Sequence, residues 1–168
     1  DITLEKAKRI SPTATFCVLG ANSDQIKQGI TIENIELIEN NNFEDGLSSS
    51  IISGIQYFRK QQLNFDGVFI LLADQPAIKL WYLEAMLNLF QENKNLIIAS
   101  NYGVKLGVPA IIPEKYFNDL LLIKGDQGAK IFINKRKSEV LCPKSTTNFF
   151  DIDTKEDLQL FKKSILNS

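Results

Sequence analysis

The stretch GVFILLADQP, residues 67–76, decides the fold of this 168-residue chain. Its strand portion, GVFILL, is apolar on both faces, which predicts a strand at the centre of a sheet. The strand ends in Ala73, Asp74, Gln75 and Pro76, where turn-forming residues take over. In open α/β sheets ligands bind beyond the carboxyl ends of the strands, so this end of the stretch predicts a crevice.

Outward from this stretch, short apolar runs alternate with longer segments of helical period. The alternation is typical of an α/β domain with a mostly parallel sheet covered by helices. We expect helices after Gly46 and after Pro76, and one domain over residues 1–168. The expected strands are residues 15–19, 34–38, 67–72, 95–100, 109–112, 139–142 and 148–152.

The first ten residues, DITLEKAKRI, predict an amphipathic helix that leads into the strand at residues 15–19. No earlier strand closes the first β-α-β unit. Removal of a central strand leaves buried backbone groups unpaired, at a cost of about 1 to 3 kcal/mol each. We therefore expect upstream sequence to supply this strand.

The composition excludes several classes of site. There is no histidine, so histidine-based catalytic triads and histidine-ligated metals are excluded, and any metal must be held by oxygen. Carboxylates suit Mg²⁺ or Mn²⁺, which usually act on phosphates. The net charge of -1, with scattered basic residues, predicts no nucleic-acid partner. No apolar run suits a membrane span, and Cys17 and Cys142 fit reduced thiols, so we expect a cytoplasmic location.

Asp74 is the first candidate metal ligand, because a carboxylate at the end of a buried strand would face the crevice. It could instead cap the turn before the next helix, an ordinary role for Asp near Pro. The segment GLSSSIISGI, residues 46–55, is a second candidate. Its glycine and serines lie where a helix begins and its free N–H groups favour anions. Simple helix capping by the serines is the alternative.

Two further segments are candidates. In NYGVKLGVPAII, residues 101–112, Gly103 and Gly107 bracket a predicted loop before a strand that starts at Pro109, and they would let backbone approach a ligand or simply form a turn. In FFDIDTKED, Asp151 and Asp153 would point the same way if the strand continued. Asp153 could instead cap the last helix, with Glu156 completing a capping box.

Six segments in register resemble the motifs of the MobA-like nucleotidyltransferase family, and most closely its molybdopterin cytidylyltransferase branch. They cover residues 2–162, and the serine triplet and DQP favour that branch. The resembling segments are VLGANSDQI, DGLSSSIISGI, VFILLADQP, YGVKLGVPAII, IKGDQGAK and FFDIDTKEDL.

The resemblance implies a three-layer α/β/α fold of the nucleotide-diphospho-sugar transferase type. It also implies transfer of a nucleotide from CTP or another NTP to a phosphorylated pterin, with release of pyrophosphate. By this similarity Asp74 would be catalytic and would hold Mg²⁺ or Mn²⁺ together with Asp151 or Asp153. The nucleotide side would be formed by Gly46, Ser48, Ser49 and Ser50, and the acceptor side by Gln75, Gly107, Pro109, Asp126 and Gly128.

Two departures from the family pattern leave the function open. The family begins with a strand and a loop of the form LAAGxSxRxGxxK that grips the triphosphate, and this sequence starts after it. The family's usual histidine before the proline is Val108, so a sugar phosphate or isoprenoid precursor could be the acceptor. A non-catalytic or regulatory nucleotide-binding domain is the other alternative. We expect a monomer or a weak homo-oligomer.

Overall fold

The computed structural model describes residues 2–10, 13–126 and 128–166, which form alternating strands and helices as the sequence predicts. The strands are β1 (Phe16–Leu19), β2 (Glu36–Glu39), β3 (Gly67–Ile70), β4 (Ile97–Asn101), β5 (Leu106–Pro113) and β6 (Val140–Leu141). The helices are α1 (Ile2–Ile10), α2 (Ser23–Gly29), α3 (Leu47–Lys60), α4 (Leu80–Glu92), α5 (Phe117–Leu120), α6 (Ala129–Lys135) and α7 (Lys155–Leu166).

The described strands form two sheets. The larger sheet has the order β3-β5-β4-β6, and β1 pairs with β2 in a separate parallel pair. Only β5 is reversed within the larger sheet: it is antiparallel to β3 and β4, whereas β6 is parallel to β4. Because β4 and β5 follow each other directly, their short connection allows this antiparallel pairing.

The prediction that GVFILL is the central strand is wrong for the sheet that the described residues form. β3 pairs with β5 along one edge and lies at the end of the strand order. All four of its residues are half-buried, because its other edge faces a cleft. The reversed strand β5 takes the central position, and Ala110, Ile111 and Ile112 are buried there.

Two strand predictions need further correction. β5 begins at Leu106 and not at Pro109, so Gly107 belongs to the strand and the loop is limited to residues 102–105. Residues 148–152 form no strand. Their apolar residues Phe149 and Phe150 imitate a strand in sequence, but Phe149 packs on the rings of Tyr82 and Tyr102.

Helices cover both faces of the larger sheet, which gives three layers. Alternate residues of β4 and β5 point to opposite faces, as the two-residue period of a strand requires. Ile97 and Ile112 pack with residues of α3, α5 and α6, whereas Ile98 and Ile111 pack with α1 and α4. Buried apolar side chains on the helices complete the two cores: Ile55, Phe58, Leu120, Phe132 and Ile133 on one face, and Ile10, Tyr82, Leu83, Met86 and Phe90 on the other.

The predicted cap of the last helix is displaced by one residue. The Thr154 hydroxyl accepts a hydrogen bond from the Asp157 N–H at 3.1 Å, and the Asp157 carboxylate accepts one from the Thr154 N–H at 2.9 Å. This reciprocal pair is a capping box, so the prediction of Asp153 with Glu156 is wrong. The Asp153 carboxylate is therefore not committed to the cap.

A cleft lies between the two sheets that the described residues form. The edge of β1 that does not pair with β2 and the edge of β3 that does not pair with β5 both line it. The cleft extends past the carboxyl ends of these strands to the turn that contains Asp74. No helix within the described residues has the length and apolar character needed to cross a membrane.

Candidate active site

The turn after β3 places Asp74 in the wall of the cleft. β3 ends at Ile70, and a hydrogen bond from the Gln75 N–H to the Leu72 carbonyl, 3.4 Å, closes the turn. Helix α4 begins at Leu80. Its N-cap residue is Lys79, which makes no side-chain capping hydrogen bond. Asp74 thus does not cap the helix, and its side chain is exposed to the cleft.

A second segment brings two more carboxylates to the same place. The Ile152 N–H donates a hydrogen bond to the Asp74 carbonyl at 2.8 Å, which fixes Asp151 and Asp153 beside the turn. Partial burial raises the pKa of the Asp74 carboxyl, and the negative charges of Asp151 and Asp153 raise it further. All three side chains line the cleft.

The donor set fits a hard divalent cation. The carboxylate oxygens of Asp74 and Asp151 repel each other, and a cation between them would relieve that repulsion. Within the described part of the chain, no group of three or more Asp, Glu or Cys side chains is arranged to hold a metal ion. Mg²⁺ is usually bound by one or two carboxylates together with water and substrate phosphates. Nucleotide phosphates would then supply the remaining ligands.

The Gln75 side chain is 5% exposed and connects this carboxylate group to the neighbouring loop. Its Nε2 donates hydrogen bonds to Asp151 Oδ1 at 2.7 Å and to the Tyr102 hydroxyl at 3.2 Å. Its Oε1 is buried and has no partner among the described residues. An unpaired buried polar atom costs about 1 to 3 kcal/mol, so the Oε1 atom lowers the free energy of unfolding of the protein.

At the start of α3, the predicted nucleotide-binding residues are largely engaged with protein. The Ser48 N–H donates to the Gly125 carbonyl at 3.1 Å, and the Ser49 hydroxyl donates to the Gly46 carbonyl at 2.7 Å. Ser48 and Ser49 are buried, whereas Ser50 lines the cleft. No serine side chain caps the helix, whose N-cap is Gly46.

Asn40 organises this helix start, and sequence reasoning missed it. The side chain is 2% exposed, and its Nδ2 donates to the hydroxyls of Ser49 at 2.7 Å and Ser50 at 3.1 Å. Its Oδ1 accepts hydrogen bonds from the Asn42 N–H at 3.0 Å and the Ser53 hydroxyl at 3.2 Å. The only signal in the sequence is an asparagine two residues after the predicted strand 34–38.

The predicted nucleotide side and acceptor side are in direct contact. Gly46 adopts a φ of +88°, and a Cβ there would lie 2.3 Å from Asp126 Oδ1 and 2.7 Å from the Gly125 carbonyl carbon. A Cβ on Gly128 would lie 3.0 Å from Leu47 Cδ2. Gln127, inside this predicted segment, lies outside the described residues.

On the remaining acceptor side, β5 carries Gly107, Val108 and Pro109. A Cβ on Gly107 would lie 3.3 Å from Tyr102 Cε2, so the glycine allows the ring to lie close to the strand. The Tyr102 hydroxyl donates to the Val108 carbonyl, and burial raises the pKa of this hydroxyl. Pro109 is buried and does not line the large cleft.

The cleft therefore gathers part of the predicted site. The predicted residues that line it are Ser50, Asp74, Gln75, Gly107, Asp126, Asp151 and Asp153, whereas Gly46, Ser48, Ser49, Pro109 and Gly128 do not. Tyr102, Lys105 and Lys130 also line it and were not predicted. Lys105 and Lys130 are exposed and could meet phosphate, but a lysine in a loop or a helix carries no such signal in sequence.

Asp74 follows the carboxyl end of β3, with Asp151 and Asp153 beside it, and this is where α/β proteins of the open-sheet class bind their ligands. The chain belongs to the MobA-like NTP transferase domain family, whose model matches residues 1–140. This is a family of nucleotidyltransferases that bind nucleoside triphosphates. The predicted family is thereby confirmed, together with the α/β fold class.

One curated relative is the purine catabolism protein PucB of Bacillus subtilis (strain 168). It is 28% identical over 130 residues, which are 73% of this chain and 58% of PucB. The chain thus spans less than two thirds of that relative's length.

Solved structures share the fold. The Mycobacterium tuberculosis Rv0371c homologue from mycobacterium sp. strain JC1 has a TM-score of 0.79 at 21% identity, over 99% of this chain and 82% of that one. Rv0371c of Mycobacterium tuberculosis H37Rv, solved as a complex with manganese, gives 0.72 at 16% identity, over 96% and 84%. Molybdopterin-guanine dinucleotide biosynthesis protein A from Archaeoglobus fulgidus gives 0.69 at 18% identity, over 99% and 85%.

Replacement of Gly46 by alanine should destabilise the protein by roughly 1 to 3 kcal/mol, because residue 46 has a positive φ and no space for a Cβ. Urea unfolding followed by circular dichroism measures this loss. Gly29→Ala is the matched control, since a Cβ at Gly29 meets nothing within 4 Å. Equal losses for the two variants would show that the contact with Asp126 does not constrain residue 46.

Replacement of Asp74 by asparagine should stabilise the metal-free protein at neutral pH. A raised carboxyl pKa means that the folded state binds the proton more tightly, so stability falls as pH rises through that pKa. The gain should stay below about 1 kcal/mol, because the side chain is largely exposed and its charge interactions are screened. Below about pH 4, where unfolded Asp is also protonated, the gain should vanish.

Thermal unfolding in the presence of a chelator, from pH 3.5 to pH 8, measures the Asp74 effect. Asp157→Asn provides a control of opposite sign, because hydrogen bonds from Thr154 lower the pKa of Asp157. At neutral pH that variant should be less stable than the wild type. The difference should vanish in acid, where the wild-type carboxylate becomes protonated. A pH-independent effect of Asp74→Asn would contradict the raised pKa of the Asp74 carboxyl.

Proposed function

We propose that this protein is a nucleotidyltransferase that moves a nucleotide from an NTP to a phosphorylated acceptor and releases pyrophosphate. The observation that carries the proposal is the placement of Asp74, Asp151 and Asp153 together in one cleft, at the end of β3. Membership of the MobA-like NTP transferase domain family supports it. The cofactor we propose is Mg²⁺ or Mn²⁺, held by Asp74 with Asp151 or Asp153.

The chemistry requires alignment and charge neutralisation from the protein. An acceptor phosphate is ionised near neutral pH, so it attacks the α-phosphorus without a general base, which suits a chain without histidine. A divalent cation bound at the carboxylates would neutralise charge on the departing pyrophosphate. Asp74 is the catalytic residue of the proposal, since it would touch the cation, and Lys105 and Lys130 are cationic side chains of the cleft wall.

The proposed nucleotide side and acceptor side lie on two loops, and these loops are in contact at Gly46. We assign the nucleotide side to Gly46, Ser48, Ser49 and Ser50, with Ser50 reaching the cleft and the others shaping the backbone. The acceptor side comprises Gln75, Gly107, Pro109, Asp126 and Gly128. Buried members of these sets would act through backbone shape, and exposed members such as Asp126 through contact.

CTP and molybdopterin are the substrates we propose, in molybdenum cofactor biosynthesis. The serine triplet and the DQP sequence support this choice by resemblance to the cytidylyltransferase branch. The uncharged side chain of Val108 favours a second candidate, a sugar phosphate acceptor, since it offers no donor to a pterin at that position. A monomer or weak homo-oligomer in the cytoplasm completes the proposal.

Asp74→Asn in the protein expressed from its complete gene should reduce pyrophosphate release at least about 100-fold, because one transition-state charge contact is lost. A coupled pyrophosphate assay with CTP, Mg²⁺ and molybdopterin measures it. Asp24→Asn, a change of a 93% exposed carboxylate on α2, is the control and should leave the rate unchanged. Full turnover by Asp74→Asn would remove Asp74 from the mechanism.

A matrix of four NTPs against molybdopterin and several sugar phosphates should give pyrophosphate release only with an acceptor phosphate present. CTP with molybdopterin should give the highest rate. A higher rate with a sugar phosphate would select the second candidate. No release with any pair, while equilibrium dialysis still shows NTP binding, would establish a non-catalytic nucleotide-binding domain and reject the transferase.

A further inference from the structure

Gln75 occupies a buried position from which it contacts both the carboxylate group and the loop after β4. The residue follows Asp74 directly, yet its side chain turns inward and is 5% exposed. Both hydrogens of its Nε2 are used, on Asp151 Oδ1 at 2.7 Å and on the Tyr102 oxygen at 3.2 Å. The amide thus joins three segments that are distant in sequence.

The direction of each hydrogen bond is determined by chemistry. The Asp151 carboxylate can only accept, and the Tyr102 hydroxyl uses its hydrogen on the Val108 carbonyl, so its oxygen also accepts from Gln75. The amide nitrogen must therefore face Asp151 and Tyr102. This leaves Oε1 buried without a partner in the described structure, an arrangement that fold stability alone does not favour.

Tyr102 is held by its ring as well as by its hydroxyl. Its ring lies on that of Phe149, with centroids 4.4 Å apart, and Phe149 belongs to the segment that carries Asp151. Its hydroxyl reaches the carbonyl of Val108 in β5, on the proposed acceptor side. Tyr102 is therefore in contact with the acceptor strand and with the carboxylate segment at once.

We propose that Gln75 and Tyr102 are positioning residues that fix the Asp151 carboxylate relative to Asp74, and that they tie its orientation to the acceptor strand. This inference rests on the proposed function. Gln75 acts through Asp151 and not on the reacting phosphates, and Tyr102 acts through Gln75. The inference also explains glutamine at position 75, since a glutamate there would place a third negative charge against Asp151.

The test is Mn²⁺ binding to the protein expressed from its complete gene, measured by electron paramagnetic resonance. Gln75→Met should weaken Mn²⁺ binding about 10- to 100-fold, as loss of a residue that orients a metal ligand does. Its unfolding temperature should not fall, because the unpaired Oε1 is removed as well. Gln56→Met, at an exposed position on α3, is the matched control and should bind Mn²⁺ like the wild type.

A double-mutant cycle shows whether Gln75 acts through Asp151. In the Asp151→Asn background, Gln75→Met should cause no further loss of Mn²⁺ affinity. Tyr102→Phe keeps the ring on Phe149 and should give a smaller loss in the same direction. Tyr57→Phe is its control, because the Tyr57 hydroxyl on α3 donates its hydrogen bond to Glu36 in β2 and not to the carboxylate group.

Three outcomes would overturn the inference. They are wild-type Mn²⁺ affinity in Gln75→Met, an equal loss in the presence and absence of the Asp151 carboxylate, and no Mn²⁺ binding by the wild type. Pyrophosphate release measured in parallel separates this inference from the proposed function. If the wild type binds Mn²⁺, the variants bind it less tightly and none releases pyrophosphate, the positioning role stands and the transferase fails.

Discussion

The hydrogen bond from the Ile152 N–H to the Asp74 carbonyl is the constraint on which the site depends. It joins the turn after β3 to a segment that has no regular secondary structure and so no ladder to hold it. It is the backbone hydrogen bond that places Asp151 and Asp153 beside Asp74. Partial burial raises the pKa of the Asp74 carboxyl, and the negative charges of Asp151 and Asp153 raise it further. The two apolar cores stabilise the fold and offset the energetic cost of the repulsion between these carboxylates.

Buried amides support this arrangement on either side of the cleft. Gln75 holds Asp151 and Tyr102, and Asn40 holds the serines at the start of α3. Asn40 has partners for both its donor and its acceptor atoms, so it stabilises the loop that it organises. Gln75 leaves its oxygen unpaired, so its contribution to stability is poorer. This difference supports the positioning role proposed for Gln75.

The sequence predicted the elements better than their arrangement. Alternating apolar runs predicted the α/β class, and the apolar run before Asp74 is a strand, as predicted. The order of strands could not be derived, because the reversal of β5 depends on its pairing with both neighbours and not on its own composition. Residues 148–152 were wrongly predicted to form a strand. The apolar side chain of Phe149 packs on the rings of Tyr82 and Tyr102, and its segment does not pair with a sheet. Asn40 was missed because its bonds to Ser49 and Ser50 form only when the helix start packs against the end of β2. Tyr102 was missed because Gln75 and Phe149, which it contacts, are distant in sequence.

Gly46 packs closely against Asp126, so the two proposed substrate sides are in direct contact. A Cβ at Gly46 would overlap the Asp126 carboxylate, and Ser48 is bonded to the Gly125 carbonyl. The two loops therefore share one packed boundary, and neither can shift without moving the other. Tyr102 makes a corresponding connection at the other end of the acceptor side, between Val108 and the carboxylate segment. Donor and acceptor loops linked in this way would hold their ligands in a fixed relation, which is what direct attack of one phosphate on another requires.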